Sequence, residues 1–291
     1  MSRFKMNALS VIILCAGEGT RLKEVSLNVP KPILKIIGIG KSVLELTLAQ
    51  LLNANINKIF LIYGFESKKF VQFVEDLDKS QTIKDFRLND TVYLVNAEKK
   101  YKKGPFHSFL QILSVSNLDE NILLIPGDTL YEDDLIKSVL KVVEEKIKNR
   151  RDEPVAFYRI LNEDKINQYL VRNKCIISMV NIIERDLQKK LKLIEKVDIR
   201  NKDIKRPILQ MIPILFLPSN FLKFLEDLKI NLENYSKLTD FINNVYLKEK
   251  TIKAVLIERN NDFIELDTKT DMQFIEENYN EILNIKEKKR G

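Results

Sequence analysis

Val11-Ile12-Ile13-Leu14-Cys15-Ala16-Gly17-Glu18-Gly19-Thr20-Arg21-Leu22 is the stretch that decides the fold class. Its aliphatic run reads as a buried strand, and two glycines follow at once. A glycine-rich turn at a strand end leaves backbone N–H groups pointing outward, where they cradle phosphate oxygens. Gly17 and Gly19 let backbone approach an anion closely, and Arg21 adds a guanidinium with bidentate reach.

The same pattern of short apolar runs continues outward at Ile59–Ile62, Thr91–Val95, Ile122–Ile125 and Val155–Tyr158. Between them, Leu44, Leu48, Leu51 and Leu52 follow helical spacing, as do Leu135, Val139, Val142 and Val143. Continuous apolar strands separated by helices predict an α/β fold, a Rossmann-like and mainly parallel sheet with helices on both faces. The polar stretch 161–205 reads as an inserted, substrate-binding lobe of irregular strands, including Cys175–Ile177 and Lys192–Ile194. Beyond it come a strand at Ile212–Leu217, a helix capped by Ser219, a helix through Thr239–Leu247, a strand at Ala254–Ile257 and a helix from Thr268. No linker composition divides the chain, so 1–291 is expected to be one domain with a flexible tail at 286–291.

Of the 291 residues, 45% are hydrophobic and 31% charged, an ordinary globular balance. No apolar run approaches the roughly eighteen residues of a membrane span, and the N-terminus lacks a secretory cleavage pattern. Two cysteines, Cys15 and Cys175, and the single histidine, His107, make no disulfide framework and no zinc set. A cytoplasmic location follows. The net charge of +7 resides in two short runs, Lys99–Lys103 and Lys286–Arg290, and not on a broad face, which argues against nucleic-acid binding.

Two decoys fail on spacing. The dinucleotide fingerprint needs a third glycine where Leu22 stands. Gly40-Lys41-Ser42 mimics the end of a phosphate-binding P-loop, but the glycine required five positions earlier is Lys35.

Leu14–Leu22, then Pro30-Lys31-Pro32-Ile33-Leu34, then Gly38 and Leu44-Glu45, resembles the signature of the sugar-1-phosphate nucleotidyltransferases. Gly127-Asp128 after a strand, Leu193-Ile194-Glu195-Lys196, and Phe263–Thr268 with Asp271-Met272 are similar to further motifs of that family, in the same order. The resemblance implies that an acceptor phosphate attacks the α-phosphorus of a nucleoside triphosphate, releasing pyrophosphate and forming a nucleoside diphosphate-sugar. Both reactants are polyanions, so catalysis is charge neutralisation and positioning.

By that resemblance, Arg21 binds the triphosphate and Lys31 contacts phosphate at the reacting centre. Leu14, Ala16, Gly17, Glu18, Gly19 and Thr20 line the nucleotide, with Asn96 and Gly104 at the base, and Lys196 holds the acceptor phosphate. Asp128 and Asp267 ligate Mg2+ or another divalent ion, and Glu265, two residues from Asp267, shares it or holds a second. The Cys15-Ala16-Gly17 turn is similar to forms that accept pyrimidine triphosphates. The Lys99–Lys103 run, between Asn96 and Gly104, is expected to assist the approach of a triphosphate.

Two departures keep the acceptor open. Glu265 stands where sugar-activating members carry Asp, and the Glu-x-Asp form resembles the phosphocholine-type cytidylyltransferases. Pro213 and Val197 replace an expected glycine and proline. The alternatives are therefore activation of phosphocholine, aminoethylphosphonate or another phosphate ester, and a catalytically silent relative that binds nucleotide and regulates a partner. Homo-oligomer formation is allowed for.

Overall fold

A computed structural model of the chain describes residues 9–19, 22, 28–77, 88–115, 120–172, 174, 176–185, 188–201, 207–228, 232–257 and 262–282. The opening aliphatic run forms β1 (Leu9–Leu14). It pairs in parallel with β2 (Ile59–Tyr63) on one side and β4 (Asn121–Pro126) on the other, and β2 pairs in parallel with β3 (Val92–Asn96). These strands are mostly apolar because both faces are covered. The exception is β3, the last strand on that side, which leaves Tyr93 and Leu94 exposed. The run at 91–95 is thus an edge, not a buried strand.

Side-chain alternation divides the core. Val11 and Ile13 share a cluster with Leu44 and Leu48 of α1 (Val43–Asn53), Phe70 of α2 (Ser67–Leu77) and Val139 and Val143 of α3 (Asp133–Lys148). Ile12 faces the other way, into a cluster with Phe106, Phe109 and Phe221. Truncating one of these fully buried leucines to alanine costs about 2–5 kcal/mol. Ser42, the end of the P-loop decoy, caps α1 by accepting from Glu45 N at 3.1 Å.

The second half departs from the parallel plan. The nine-stranded sheet runs β3-β2-β1-β4-β9-β6-β10-β8-β7, and β9 (Ile208–Leu217) is antiparallel to both β4 and β6 (Val155–Leu161). After α4 (Glu163–Val171), β7 (Ile176–Arg185) and β8 (Gln188–Asp198) form a long hairpin. β8 joins β10 (Lys253–Leu256), which lies parallel to β6, and β7 pairs back onto β9, closing a five-strand ring. The expected mainly parallel sheet therefore describes β1–β4; beyond them, among the described residues, the β6–β10 pair alone is parallel. The stretch expected to be irregular strands holds the two extended strands of this ring, with one register shift between Asn181 and Ile182.

β9 passes from sheet to ring at Pro213. Ile212, Pro213 and Ile214 oppose the single residue Phe157 of β6. A proline cannot donate to the ladder, so pairing lapses there and the strand bends. α5 (Ser219–Asp227) follows, with Pro218 and not Ser219 at its N-cap. The helix expected through Thr239–Leu247 spans Leu238–Phe241, a π-turn Ile242–Tyr246 and Leu247–Glu249.

A separate two-stranded ribbon positions the site. β5 (Thr129–Tyr131) pairs antiparallel with β11 (Phe263–Glu265), matching Thr129 with Glu265. Leu266 N donates to Asp128 O at 2.7 Å, which sets Asp267 beside Asp128 just before α6 (Lys269–Ile282).

Candidate active site at the ends of β1 and β4

Two cavities adjoin at the carboxyl ends of the parallel strands, where open α/β sheets bind ligands. The first, of about 310 Å3, is lined by Leu14, Gly17, Gly19, Lys31, Asp128 and Asp267 among others. The second, of about 450 Å3, shares Leu14 and includes Lys196, Gln210, Pro213, Lys237, Thr239 and Glu265.

Close backbone approach builds the first cavity. Gly127 N donates to Leu14 O at 2.9 Å, and a Cβ on Gly127 would stand 2.6 Å from Cys15 Sγ. Gly19 has φ +62°, and its Cβ would stand 2.5 Å from Lys31 Cγ. Both positions require glycine. Lys31 enters from a 3-10 turn, Lys31–Ile33, held between Pro30 and Pro32, and is 8% exposed. Its Nζ donates to Asp267 Oδ1 at 2.8 Å and lies 3.7 Å from Asp128 Oδ2.

Burial pushes the Asp128 carboxyl up to about 6; Lys31 opposes that, while Asp267 and Glu265 add to it. Burial, with Asp128 next to it, also pushes the Cys15 thiol up, which keeps it from acting as a thiolate nucleophile.

Glu265, expected to share the metal or hold a second one, is paired with a lysine in the structure. β11 ends at Glu265 and the chain turns, with Asp267 N donating to Glu265 O at 3.1 Å. Lys174 then takes both side chains, Nζ lying 2.9 Å from Glu265 Oε2 and 3.5 Å from Asp267 Oδ2. Among the described residues, no three His, Cys, Asp or Glu side chains group closely enough to hold a metal ion. Asp128 and Asp267 line the first cavity and Glu265 the second. The hard oxygen donors of Asp128 and Asp267 fit a divalent cation completed by substrate oxygens.

Behind the carboxylates, Asp271 pins the loop. Its Oδ2 accepts from Asp267 N at 3.1 Å and from Thr268 N at 2.9 Å, while Asp271 N donates to Thr268 Oγ1 at 3.2 Å, a capping box. Arg172 Nη1 lies 3.4 Å from Asp271 Oδ1, with the guanidinium over the rings of Tyr169 and Phe274. Arg159, likewise buried, pairs with Asp262 at 2.7 Å and donates to Gln210 Oε1 at 2.8 Å, fixing a wall residue of the second cavity.

Lys196 projects from β8 and donates to Ser178 Oγ at 2.7 Å, and both line the second cavity. Asn243, in the π-turn, accepts from Ile194 N at 3.0 Å and donates to Ile194 O at 2.6 Å. A side-chain amide thereby takes the part of a neighbouring strand two residues before Lys196.

The remaining sequence candidates fall into three groups. Arg21 and Thr20 lie outside the described residues, as does Cys175. Ala16 is buried and its carbonyl accepts from Phe65 N at 3.3 Å, while Glu18 is half-buried in the turn. Asn96 and Gly104 are not among the residues lining either cavity. Asn96 Oδ1 accepts from Glu98 N at 2.8 Å, and Gly104, at φ +117°, admits Ser236 O, 2.4 Å from where a Cβ would be. In the exposed lysine run, Lys100 donates to Gln111 Oε1 at 2.8 Å and Lys103 pairs with Glu233 at 3.0 Å.

Sequence reading missed Lys174, Arg172 and Arg159. Arg172 and Lys174 lie in a polar stretch, where a basic residue reads as solvated, but Arg159 interrupts the apolar run Val155–Leu161, and a charge inside a buried strand was a signal. Asp271 carried a signal, because Thr268-Lys269-Thr270-Asp271 has capping-box spacing.

Comparison with known proteins shows the family. The family described as "Nucleotidyl transferase" matches residues 10–163, more than half of the chain. The chain belongs to the nucleotidyl transferase family. Bifunctional protein GlmU of Methanococcus vannielii is 31% identical over 129 residues, 44% of this nucleotidyl transferase chain and 27% of that relative's length. UTP–glucose-1-phosphate uridylyltransferase AglF of Haloferax volcanii is 24% identical over 127 residues, 44% of this chain and 46% of AglF. A solved UDP-glucose pyrophosphorylase complexed with UDP-glucose shares the fold at TM-score 0.69 and 15% identity, covering 94% of this chain and 98% of its own. Among the described residues, no helix of this nucleotidyl transferase is long and apolar enough to cross a membrane.

Proposed function

We propose that the chain couples a nucleoside triphosphate, a pyrimidine one by the form of its glycine turn, to a sugar 1-phosphate. An oxygen of the acceptor phosphate attacks the α-phosphorus, the bond to the bridging oxygen of the β-phosphate breaks, and pyrophosphate leaves. The observation that carries this reading is Lys31, held by Asp267 and Asp128 beneath the Gly17–Gly19 turn, beside a second cavity that presents Lys196.

Each group then has a task. The backbone around Gly17 and Gly19 cradles the triphosphate, joined by Arg21. Lys31 supplies fixed positive charge at the reacting phosphate, already desolvated and therefore effective. Lys196, on the 161–205 lobe, holds the acceptor phosphate in line. Asp128 and Asp267 would hold Mg2+ or another divalent ion, which when bound adds positive charge to the phosphate oxygens. The parallel half of the sheet serves as a Rossmann-like nucleotide platform, and the ring as acceptor lobe within one domain. A cytoplasmic location and assembly into a homo-oligomer belong to the same reading.

The activities for which AglF and the solved pyrophosphorylase are named support UTP with glucose 1-phosphate as the first pair to assay. The test is pyrophosphate release across the common nucleoside triphosphates against sugar 1-phosphates and phosphocholine-type acceptors. Release confined to the latter would displace the sugar reading, and nucleotide binding without any release would make the chain a silent relative.

A further inference from the structure

Three carboxylates meet where the β5–β11 ribbon ends, and two lysines divide them. Lys31 reaches Asp267 Oδ1 and Asp128, while Lys174 reaches the other oxygen, Asp267 Oδ2, and Glu265. The two lysines are differently placed. Lys31 lines the first cavity beside Asp128 and Asp267, so its side of Asp267 faces the space for substrate. Lys174 lines neither cavity, although the two side chains are similarly buried, 12% exposed for Lys174 and 10% for Lys31.

Lys174 is also held from behind. Its N–H donates to Tyr169 O at 2.9 Å, its Nζ lies 3.4 Å from Glu265 O, and Arg172, two residues earlier, is fixed against Asp271 and between the Tyr169 and Phe274 rings. A lysine that bridges two carboxylates in a closed position does what a second metal ion does in a two-metal site: it neutralises them and fixes their separation.

We infer that Lys174 is a positioning residue that takes the place of a second cation, so that Glu265, on the wall of the second cavity, is committed to an ion pair with it and the site accepts one divalent ion, at Asp128 and Asp267. This rests on the proposed function in taking those two carboxylates as the ion-binding pair. It makes Lys174, at the start of the hairpin that carries Lys196, a link between the acceptor lobe and the carboxylates.

The experiment titrates Mn2+ alone into the full chain and counts free ion by electron paramagnetic resonance. Wild type should bind one Mn2+ per chain, lost in Asp128→Asn. Lys174→Met should bind a second ion, or the first at least about tenfold more tightly, because a charge in direct contact has left the carboxylates. Lys174→Arg should restore the single ion. Two ions on wild type would overturn the inference without any variant, as would one ion of unchanged affinity on folded Lys174→Met. Binding unaffected by Asp128→Asn would instead overturn the choice of ion-binding pair, and with it that part of the proposed function.

Discussion

Gly19 and Lys31 pack so closely that a Cβ on the glycine would stand 2.5 Å from Lys31 Cγ, and Gly19 also has φ +62°. Gly19→Ala must therefore strain the turn, by about 1–2 kcal/mol, or push Lys31 off the carboxylates. The expected outcome is a folded protein with turnover reduced at least about tenfold, since misplacing a charged group at the reacting centre costs that much or more. Gly17 has no atom within 4 Å of its Cβ position, so Gly17→Ala should leave the thermal midpoint unchanged. Equal turnover in Gly19→Ala and wild type would show that Lys31 need not stand where it does.

Lys31→Met should reduce the rate of pyrophosphate release by about 10²–10³-fold, the loss typical of removing one preorganised charge or donor. Single-turnover measurement at saturating substrates separates this from weaker binding. A change within a few-fold would reduce Lys31 to a tether between Asp128 and Asp267.

Asp271→Ala removes the partner of buried Arg172 and the cap on Thr268 and Asp267 together. Breaking a buried pair leaves a charge without compensation, and about 3–5 kcal/mol of stability should be lost. Chemical denaturation checks the value, and a loss below about 1 kcal/mol, the scale of an exposed ion pair, would contradict the buried pairing.

Asp262 sets a pH dependence. Burial alone would raise its carboxyl pKa, but Arg159 and Lys165 outweigh burial and hold it below the ordinary range. Its folded value is thus depressed, so the stabilisation is present above the unfolded value of about 3.9 and is lost as pH falls through the folded one. Denaturation midpoints taken downward from pH 6 should show this loss in wild type and a shallower decline in Asp262→Asn. Parallel profiles would remove Asp262 as the cause.

Asn243→Ala should loosen β8 beside Lys196, because Ile194 then loses both partners of its backbone groups. The acceptor Michaelis constant should rise, the nucleotide constant should hold, and Lys196→Ala should reproduce the effect. A rise in the nucleotide constant instead would detach this edge from the acceptor.

The strand–glycine–strand logic of the first half was legible because it is local. Val11–Leu14 must be buried, Gly19 must be glycine, and Pro30-Lys31-Pro32 stiffens its own lysine. β7 and β8 were hard to read because their pattern answers to a ring closed by β9 and by β10, which is distant in sequence. Asn96 and Gly104 match a motif by order, and what the structure adds is their local contacts, to Glu98 and Ser236 among others.

By itself the sequence determined the alternating strands and helices of the first half, the phosphate-cradling turn and the residues that bear charge. Only the tertiary structure decided which charges meet. Lys31 and Asp267 stand 236 positions apart and touch because β5 pairs with β11. Lys174, in a polar stretch without periodicity, becomes a buried bridge between Glu265 and Asp267 for the same reason. Periodicity reports which face of an element is buried, whereas the pairing of charges depends on long-range register, which no local pattern encodes.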